Sequence, residues 1–229
     1  KKAIEQRGTD NVEAYNLFLM ARQYYVTGLE GDARRAESIV RLCTGAAEID
    51  PNYARAWALM ALGQMILRFV HGRSGEDGLL AADRALALDG NLAEAHAVRA
   101  RIFSETARYD EASAEIDIAL RLDTESYEVN RAAAYVRFRQ QRIPDAIRYF
   151  EKATTLVETD VNSASMLITC YTAVGNSQAA LRTARLTLSR VEKTLAQDPN
   201  NGAAMGFGVV ALVLLGIANG APIVATKLF

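Results

Sequence analysis

The stretch Leu92–Glu125 reads LAEAHAVRARIFSETARYDEASAEIDIALRLDTE, and its pattern of small and large apolar residues returns every 34 positions along the chain. Three alanines mark this spacing, because Ala112 is followed by Ala146 and then by Ala180. Three further series keep the same phase: Ala85, Ala119, Ala153 and Thr187; Ala82, Ile116, Phe150 and Ala184; and Ala100, Ala134 and Ile168. A fixed period of this length with small residues at fixed places predicts stacked helix–turn–helix units.

Each unit can be divided into a first helix, a short turn and a second helix. In Leu92–Glu125 the first helix carries His96, Ala100 and Phe103 on its apolar face. A turn follows at 108–110, where Asp110 is predicted to cap the second helix. Small residues let the two helices approach closely, so neither helix can bury its apolar face without the other.

A period of 34 residues is typical of tetratricopeptide (TPR) repeats. The pattern therefore predicts an all-α, right-handed helical solenoid of about five and a half repeats and about eleven helices. The repeat domain is predicted to span residues 1–216, and residues 217–229 are predicted to be an irregular or non-native tail. The predicted repeats are 11–50, 51–91, 92–125, 126–159, 160–200 and a partial repeat 201–216.

Three further segments resemble one group of TPR proteins. They are AYNLFLMAR at 14–22, DPNYARAW at 50–57 and the Gly-rich MGFGV at 205–209. Together they resemble the C-terminal TPR region of bacterial multidomain class III adenylate or guanylate cyclase-like proteins and related transcriptional regulators. The resemblance implies that any catalytic domain lies outside this chain, and that this chain is not itself an enzyme.

In TPR proteins the first helices line a concave groove, and the matching positions here carry arginines, aromatic residues and glutamates. The predicted groove residues are Arg22, Arg55, Arg101, Arg131, Tyr135, Phe138 and Arg139, with Glu94, Glu105 and Glu128 beside them. Arginine offers paired donors and a flat stacking surface, which favours an extended peptide bearing carboxylates. Arg101, Arg131 and Arg139 are expected to converge. The alternative is a solvated helix face whose charges neutralise one another.

The last helix is apolar and lacks a partner helix. From about Gly202 to Gly216 it presents Val209, Leu212, Val213 and Leu215. Because terminal repeats normally have a polar outer face, these four residues are predicted to be covered, either by the following segment or by a second copy of the chain. A membrane-spanning helix is disfavoured, because the apolar run is shorter than the ~20 residues that a bilayer requires.

Composition excludes several classes of function. The 229-residue chain has a formal net charge of −1, so it has no overall attraction to nucleic acid or to an anionic membrane. Cys43 and Cys170 fall in different predicted repeats, so a disulfide between them is not expected. With no apolar leader visible, a cytoplasmic location is expected, or a periplasmic one if the parent protein spans a membrane.

No cluster of residues suggests a cofactor or a metal. His96 occupies a packing position, and His71 lies in a Gly-rich insertion with Arg68 and Arg73 that favours a solvated loop over an anion site. The letters GFGVVA at 206–211 match a dinucleotide fingerprint, but they follow a turn and not a strand, so close helix packing is the preferred explanation for the glycines.

The leading hypothesis is a non-catalytic interaction or regulatory module that docks a protein or peptide and can also form a homodimer. The alternative is a cyclase-like fragment that serves mainly dimerisation.

Overall fold

The computed structural model describes residues 8–26 and 32–218, which form eleven α-helices and no β-strand. The first six are α1 (Val12–Val26), α2 (Ala33–Ile49), α3 (Ala54–Met65), α4 (Leu79–Leu88), α5 (Ala93–Glu105) and α6 (Tyr109–Leu122). The others are α7 (Tyr127–Arg139), α8 (Ile143–Leu156), α9 (Val161–Ala173), α10 (Ser177–Gln197) and α11 (Gly202–Ala218). The predicted all-α stack is confirmed.

Helix packing follows the order of the chain. Each helix packs against the next one, and the first helices of successive pairs also touch, as α3 does with α5, α5 with α7 and α9 with α11. The second helices therefore form the outer layer. The first helices α1, α3, α5 and α7 share the inner, concave face.

The core lies where alanines of paired helices meet. Ala100, Ala112 and Ala119 are completely buried, and the completely buried Ile116 fills the space between them. In the next unit Phe150 takes the same role between alanines on α7 and α8. Burying a side chain of this size stabilises the fold by about 1.5–3 kcal/mol.

The backbone repeats with the same period as the sequence. Ala107, Gln141 and Gly175 have φ values of 60°, 59° and 73°, and each occupies the turn between the two helices of its pair. In each turn the next residue's N–H donates to a carbonyl five residues earlier, as Arg108 does to Phe103 at 2.8 Å. The left-handed conformation is unfavourable for alanine and glutamine by about 1–2 kcal/mol, so packing on both sides must hold these turns in place.

The helix ends agree only in part with what the sequence predicts. Asp110 does not cap α6, because the helix already begins at Tyr109 and Asp110 lies in its first turn. Helix α10 runs 21 residues, from Ser177 to Gln197. The last helix ends at Ala218, two residues beyond the expected Gly216, and the rest of the predicted tail lies outside the described residues.

The Gly-rich insertion between α3 and α4 begins with a π-helical turn at Ile66–Val70 and ends at Gly78. Gly78 has φ 92°, and a Cβ atom placed there would lie 2.3 Å from the carbonyl oxygen of Ala61. Gly72, in the same loop, has φ 63° but open space where a Cβ atom would be. Of these two glycines, only Gly78 is required by the close approach of the loop to α3.

We predict that Gly78→Ala destabilises the protein considerably more than Gly72→Ala does. Both substitutions introduce the strain of a left-handed alanine, about 1–2 kcal/mol, and only the first adds a backbone clash. Urea denaturation of the two variants measures the difference. Equal free energies of unfolding would show that α3 and the loop do not approach closely.

Candidate functional site

The concave face closes into a pocket because α1 reaches α7. Arg22 of α1 donates from Nε and Nη2 to Oε1 of Glu128 on α7, at 3.2 and 2.8 Å. Beside this pair, the rings of Tyr25 and Tyr127 lie 5.8 Å apart. These helices belong to the first and fourth pairs, so the curvature of the solenoid brings together segments that are 106 residues apart in the chain. We call the enclosed space the concave pocket.

The concave pocket has an apolar floor and a charged rim. Its volume is about 50 Å³. The floor is formed by Phe18, Ala58, Leu59, Leu62, Ala97, Val98 and Ala132, and the rim by Arg22, Arg55, Glu94, Arg101 and Glu128, with Tyr25 at the side. Burial raises the pKa of Tyr25 to about 12, so its hydroxyl group stays neutral at physiological pH. The floor can bind an apolar group, and the charged rim can orient the ligand that carries this group.

Two ion pairs hold the rim in place. Besides Arg22–Glu128, Arg55 of α3 donates to Glu94 of α5 at 3.1 Å. The Arg55 guanidinium also lies over the ring of Phe18, at 5.5 Å. Burial lowers the pKa of Arg22, but the charge and hydrogen bonds of Glu128 outweigh it, and the pKa is raised. Both arginines are already engaged by carboxylates of neighbouring helices.

Arg101 and Arg131 converge on one aromatic ring, whereas Arg139 lies elsewhere. The guanidinium carbons of Arg101 and Arg131 are 4.4 and 5.3 Å from the ring centre of Tyr135. Arg139, two turns beyond Arg131, instead donates to Glu105 at 3.3 Å. The expected strip of three arginines is thus split into a buried pair and a separate ion pair.

Arg131 belongs to a buried polar cluster that joins α7 to α9. Arg131 and Asp160 have side chains only 3% and 4% exposed, with 3.8 Å between Nε and Oδ2. The Tyr135 hydroxyl group donates to the side chain of Asn162 on α9. A peptide could reach Arg131 only if this side chain moved. Phe138, the remaining groove candidate, is half-buried among α7–α9 residues.

A second buried network lies away from the groove. His96 is 7% exposed, as expected for a packing residue, and its Nδ1 lies 2.7 Å from Glu115 Oε2 while its Nε2 lies 3.1 Å from the carbonyl oxygen of Gly90. Arg99 donates to the other Glu115 oxygen at 2.5 Å and to Asp83 at 3.0 Å. Both partners of the His96 ring are oxygen acceptors. The network ties α4, α5 and α6 together.

We predict that Glu115→Gln destabilises the protein by about 1–3 kcal/mol near neutral pH, because a buried acceptor of charged hydrogen bonds is lost. Burial raises the pKa of Glu115, but the hydrogen bonds from Arg99 and His96 outweigh it and lower the pKa below its usual 4.5. The folded state therefore favours the ionised form. This stabilisation is present above about pH 4.5 and is lost as the pH falls through the folded-state pKa.

Urea denaturation at about pH 7 and at about pH 4 or below tests this prediction, because the difference between wild type and Glu115→Gln should shrink at the lower pH. Glu111→Gln is the matched control, since Glu111 also pairs with an arginine, Arg108, but lies at the surface. A constant difference at both pH values would contradict the assignment.

The apolar residues of α11 are only partly exposed. Val209 is 41% exposed, and Leu212, Val213 and Leu215 are half-buried. Leu215 packs against a small cluster formed with α9 and α10, so it faces the repeat core. Val210, not predicted, is as exposed as Val209. We call Val209, Val210 and Val213 the C-terminal patch.

Several other sequence features have simple structural roles. Residues 206–211 lie within α11, so the dinucleotide motif is not at a strand end. Gly206 is exposed, and a Cβ atom added to it would meet nothing within 4 Å, so close packing does not explain this glycine. Cys43 and Cys170 are buried free thiols, and burial raises the pKa of Cys170 to about 11.

Within residues 8–26 and 32–218, no group of three or more His, Cys, Asp or Glu residues could hold a metal ion. In the same ranges no helix combines the length and the apolar character needed to cross a membrane.

His71 lies at the end of the π-helical turn, and its backbone N–H donates to the carbonyl of Ile66. Arg73 lies 4.0 Å from Glu37.

Solved structures of similar fold place the chain in a class of helical repeat proteins. A human IFIT1 dimer with PPP-AAAA matches at 18% identity and a TM-score of 0.61, over 83% of this chain and 44% of that one. MamA matches at 16% identity and a TM-score of 0.50, over 71% of this chain and 92% of that one. The chain thus spans less than half the length of IFIT1.

The class is that of TPR-type solenoids. TTC0263, a thermophilic TPR protein of Thermus thermophilus, matches at 16% identity and a TM-score of 0.60, over 87% of this chain and 99% of that one. No known family profile matches the sequence, and no curated protein does. At these identities the matches establish the fold alone. The names of these proteins give no support to a link with nucleotide cyclases.

Sequence reasoning placed the groove arginines and the glutamates that pair with three of them on one face, but it missed other residues around them. Tyr25, Tyr127 and Asp160 were absent from the predicted site, because their contacts depend on how far the stack curves. Glu115 was missed for a different reason. Glu115 lies 19 residues after His96, so the two side chains meet only where α5 packs against α6. The available signal in the sequence was a glutamate on an otherwise apolar helix face.

Proposed function

We propose that the chain is a non-catalytic interaction module that docks a peptide segment of a protein partner on its concave face. The concave pocket carries this proposal, because four helices converge there on an apolar floor with charged groups around it. Grooves of this kind provide apolar contact for affinity and charged groups for orientation. The rigid packing of the helices fixes both in advance.

The pairing of the rim favours a protein partner over RNA. Nucleic-acid binding draws its affinity mainly from uncompensated positive charge. Here Glu94 and Glu128 neutralise two of the rim arginines, and the chain as a whole has a net charge of −1. Human IFIT1 was solved with PPP-AAAA, so this compound is included as a competitor in the test below. We also propose that this chain belongs to a larger bacterial signalling protein.

Selection of peptides from a random twelve-residue library on the immobilised chain tests the proposal. We predict that enriched peptides bind Arg55→Glu about tenfold more weakly than wild type, since the substitution places three carboxylates together at the rim. Arg34→Glu is the control, because Arg34 is an exposed arginine on α2 with a carboxylate neighbour, Asp32.

No enrichment of any peptide, or equal binding to wild type and Arg55→Glu, would argue against docking on the concave face. Displacement of the peptides by PPP-AAAA, together with tight binding of that compound alone, would favour nucleic acid instead. Circular dichroism of each variant establishes that its helices are intact.

We also propose that the C-terminal patch is the contact surface of a homodimer. Exposed Val209 and Val210 lie on one helix beside the half-buried Val213. Contacts between two copies of one surface are the commonest closed arrangement. IFIT1, which has a similar fold, has been solved both as a dimer and as a monomeric mutant. Dimerisation is therefore compatible with this fold. Dimerisation would also be the main role of the chain under the cyclase-like alternative.

Light scattering after size exclusion tests the dimer. We predict that wild type has twice the chain mass of 25.0 kDa and that Val209→Glu and Val213→Glu return it to one chain mass. Leu186→Glu, at a position 49% exposed on α10, is expected to leave the mass unchanged. A wild-type protein of single chain mass at high concentration would exclude this surface as a dimer contact.

A further inference from the structure

The outer side of α1 carries large apolar side chains that solvent reaches. Leu19, Met20 and Tyr24 are 41%, 54% and 37% exposed, whereas the neighbouring Ala21 is completely buried. None of the three exposed residues lines the concave pocket. We call Leu19, Met20 and Tyr24 the α1 face. It is a second apolar surface of the chain, separate from the concave pocket.

The same sequence is buried where it occurs again. The tripeptide Leu-Met-Ala at 19–21 recurs at 59–61, at the corresponding place in α3. There Leu59 and Met60 are only 9% and 6% exposed. Helix α2 packs against α3, and the Thr44 hydroxyl group of α2 donates to the sulfur of Met60 at 3.4 Å. Identical side chains are therefore covered in α3, next to α2, and exposed in α1.

Helix α9 shows what covers a face of almost the same composition. Its Met166, Leu167 and Tyr171 have the spacing of the three residues of the α1 face. Helix α8 packs against this side of α9, where Ile147 joins the same apolar cluster and the Tyr171 hydroxyl group donates to Glu151. Leu167 is only 5% exposed. A methionine, leucine and tyrosine at this spacing are thus covered by a helix that offers an aliphatic residue and a carboxylate.

The repeat geometry defines the neighbour that fits α1. Each later first helix packs against the second helix that precedes it, and within residues 8–26 and 32–218 α1 has no such helix against its outer side. Three of these junctions include a bond to a carboxylate, from Arg99 to Asp83, from Arg137 to Asp117 and from Tyr171 to Glu151. The three carboxylates lie 34 residues apart. An acidic residue at this position is therefore a repeated part of the junction.

We propose that the α1 face binds an amphipathic helix of a partner protein, antiparallel to α1 and in the place of a preceding second helix. Aliphatic side chains of the partner helix cover Leu19 and Met20. A carboxylate at the position equivalent to Glu151 accepts a hydrogen bond from the Tyr24 hydroxyl group. Because this surface is distinct from the concave pocket and the C-terminal patch, the inference goes beyond the proposed function. Such binding extends the helical stack across two proteins.

The chain itself provides a probe for this surface. A synthetic peptide of residues 142–157 contains α8, the helix that covers the corresponding residues of α9. Methyl NMR of the full chain follows the binding of this peptide and detects weak complexes. We expect saturable shifts of Leu19 and Met20. Leu59 and Met60 are the internal control and should not shift, because the same two residue types are buried there beside α2.

A pair of substitutions tests the contact to Tyr24. Tyr24→Phe in the chain and Glu151→Gln in the peptide alone should each weaken binding about fivefold, because each removes the same charge-assisted hydrogen bond. Together they should weaken binding little more than either does alone, since the bond can be lost only once.

A charge on the α1 face tests the apolar contact. Met20→Glu should weaken binding about tenfold or more, because the carboxylate would be buried against aliphatic side chains. The methyl groups of Leu19 remain as the reporter in this variant. Leu122→Glu is the control, at a position 40% exposed on α6, and should bind the peptide as wild type does. Circular dichroism establishes that the helices of each variant are intact.

Three results of these titrations would overturn the inference: no saturable shift at Leu19 and Met20, unchanged binding by Met20→Glu, or unchanged binding by Tyr24→Phe. A fall in the mass of the wild-type assembly on Met20→Glu, seen by light scattering, would show instead that a second copy covers the α1 face. Docking on the concave face is judged separately by Arg55→Glu, so either proposal can fail without the other.

Discussion

The close approach of paired helices across alanine side chains is the constraint on which the rest of the structure depends. Ala100, Ala112 and Ala119 have no exposed surface, and larger residues such as Ile116 and Phe150 fill the space that the alanines leave. Because the spacing is the same in successive pairs, each pair is rotated relative to the previous one in a similar way. Repetition of this rotation produces the curvature of the concave face.

Curvature then creates the site. Four first helices form an arc tight enough for Arg22 on α1 to bond Glu128 on α7. Long side chains, and not the helix backbones, complete this contact. The buried cluster of Arg131 and Asp160 supports the same region from behind, through α9. The exposed end of the proposed binding surface, at Arg22, and the buried cluster, at Arg131, therefore use different arginines of the same face.

The sequence predicted most of the fold because its signals are local. The period of 34 residues and the small residues that mark it can be identified along the chain without knowledge of contacts between distant repeats. The groove was harder to predict. Its arginines could be assigned to the concave face, but whether each faces solvent or a carboxylate depends on pairs such as Arg139 and Glu105, or Arg22 and Glu128, which come from different repeats. Asp110 shows that local signals also have limited precision. The helix starts earlier than expected, so the predicted cap lies in the first turn instead.

The bond between α1 and α7 also changes how the protein should lose its structure. In an open repeat array each unit contacts only its neighbours, so the ends can fray independently and the array unfolds in stages. Here the first helix contacts the fourth pair, and Arg35 on α2 bonds Asp198 after α10 at 2.8 Å. Opening of either end therefore removes contacts from the other. These contacts should couple hydrogen exchange in α1 to that in α10.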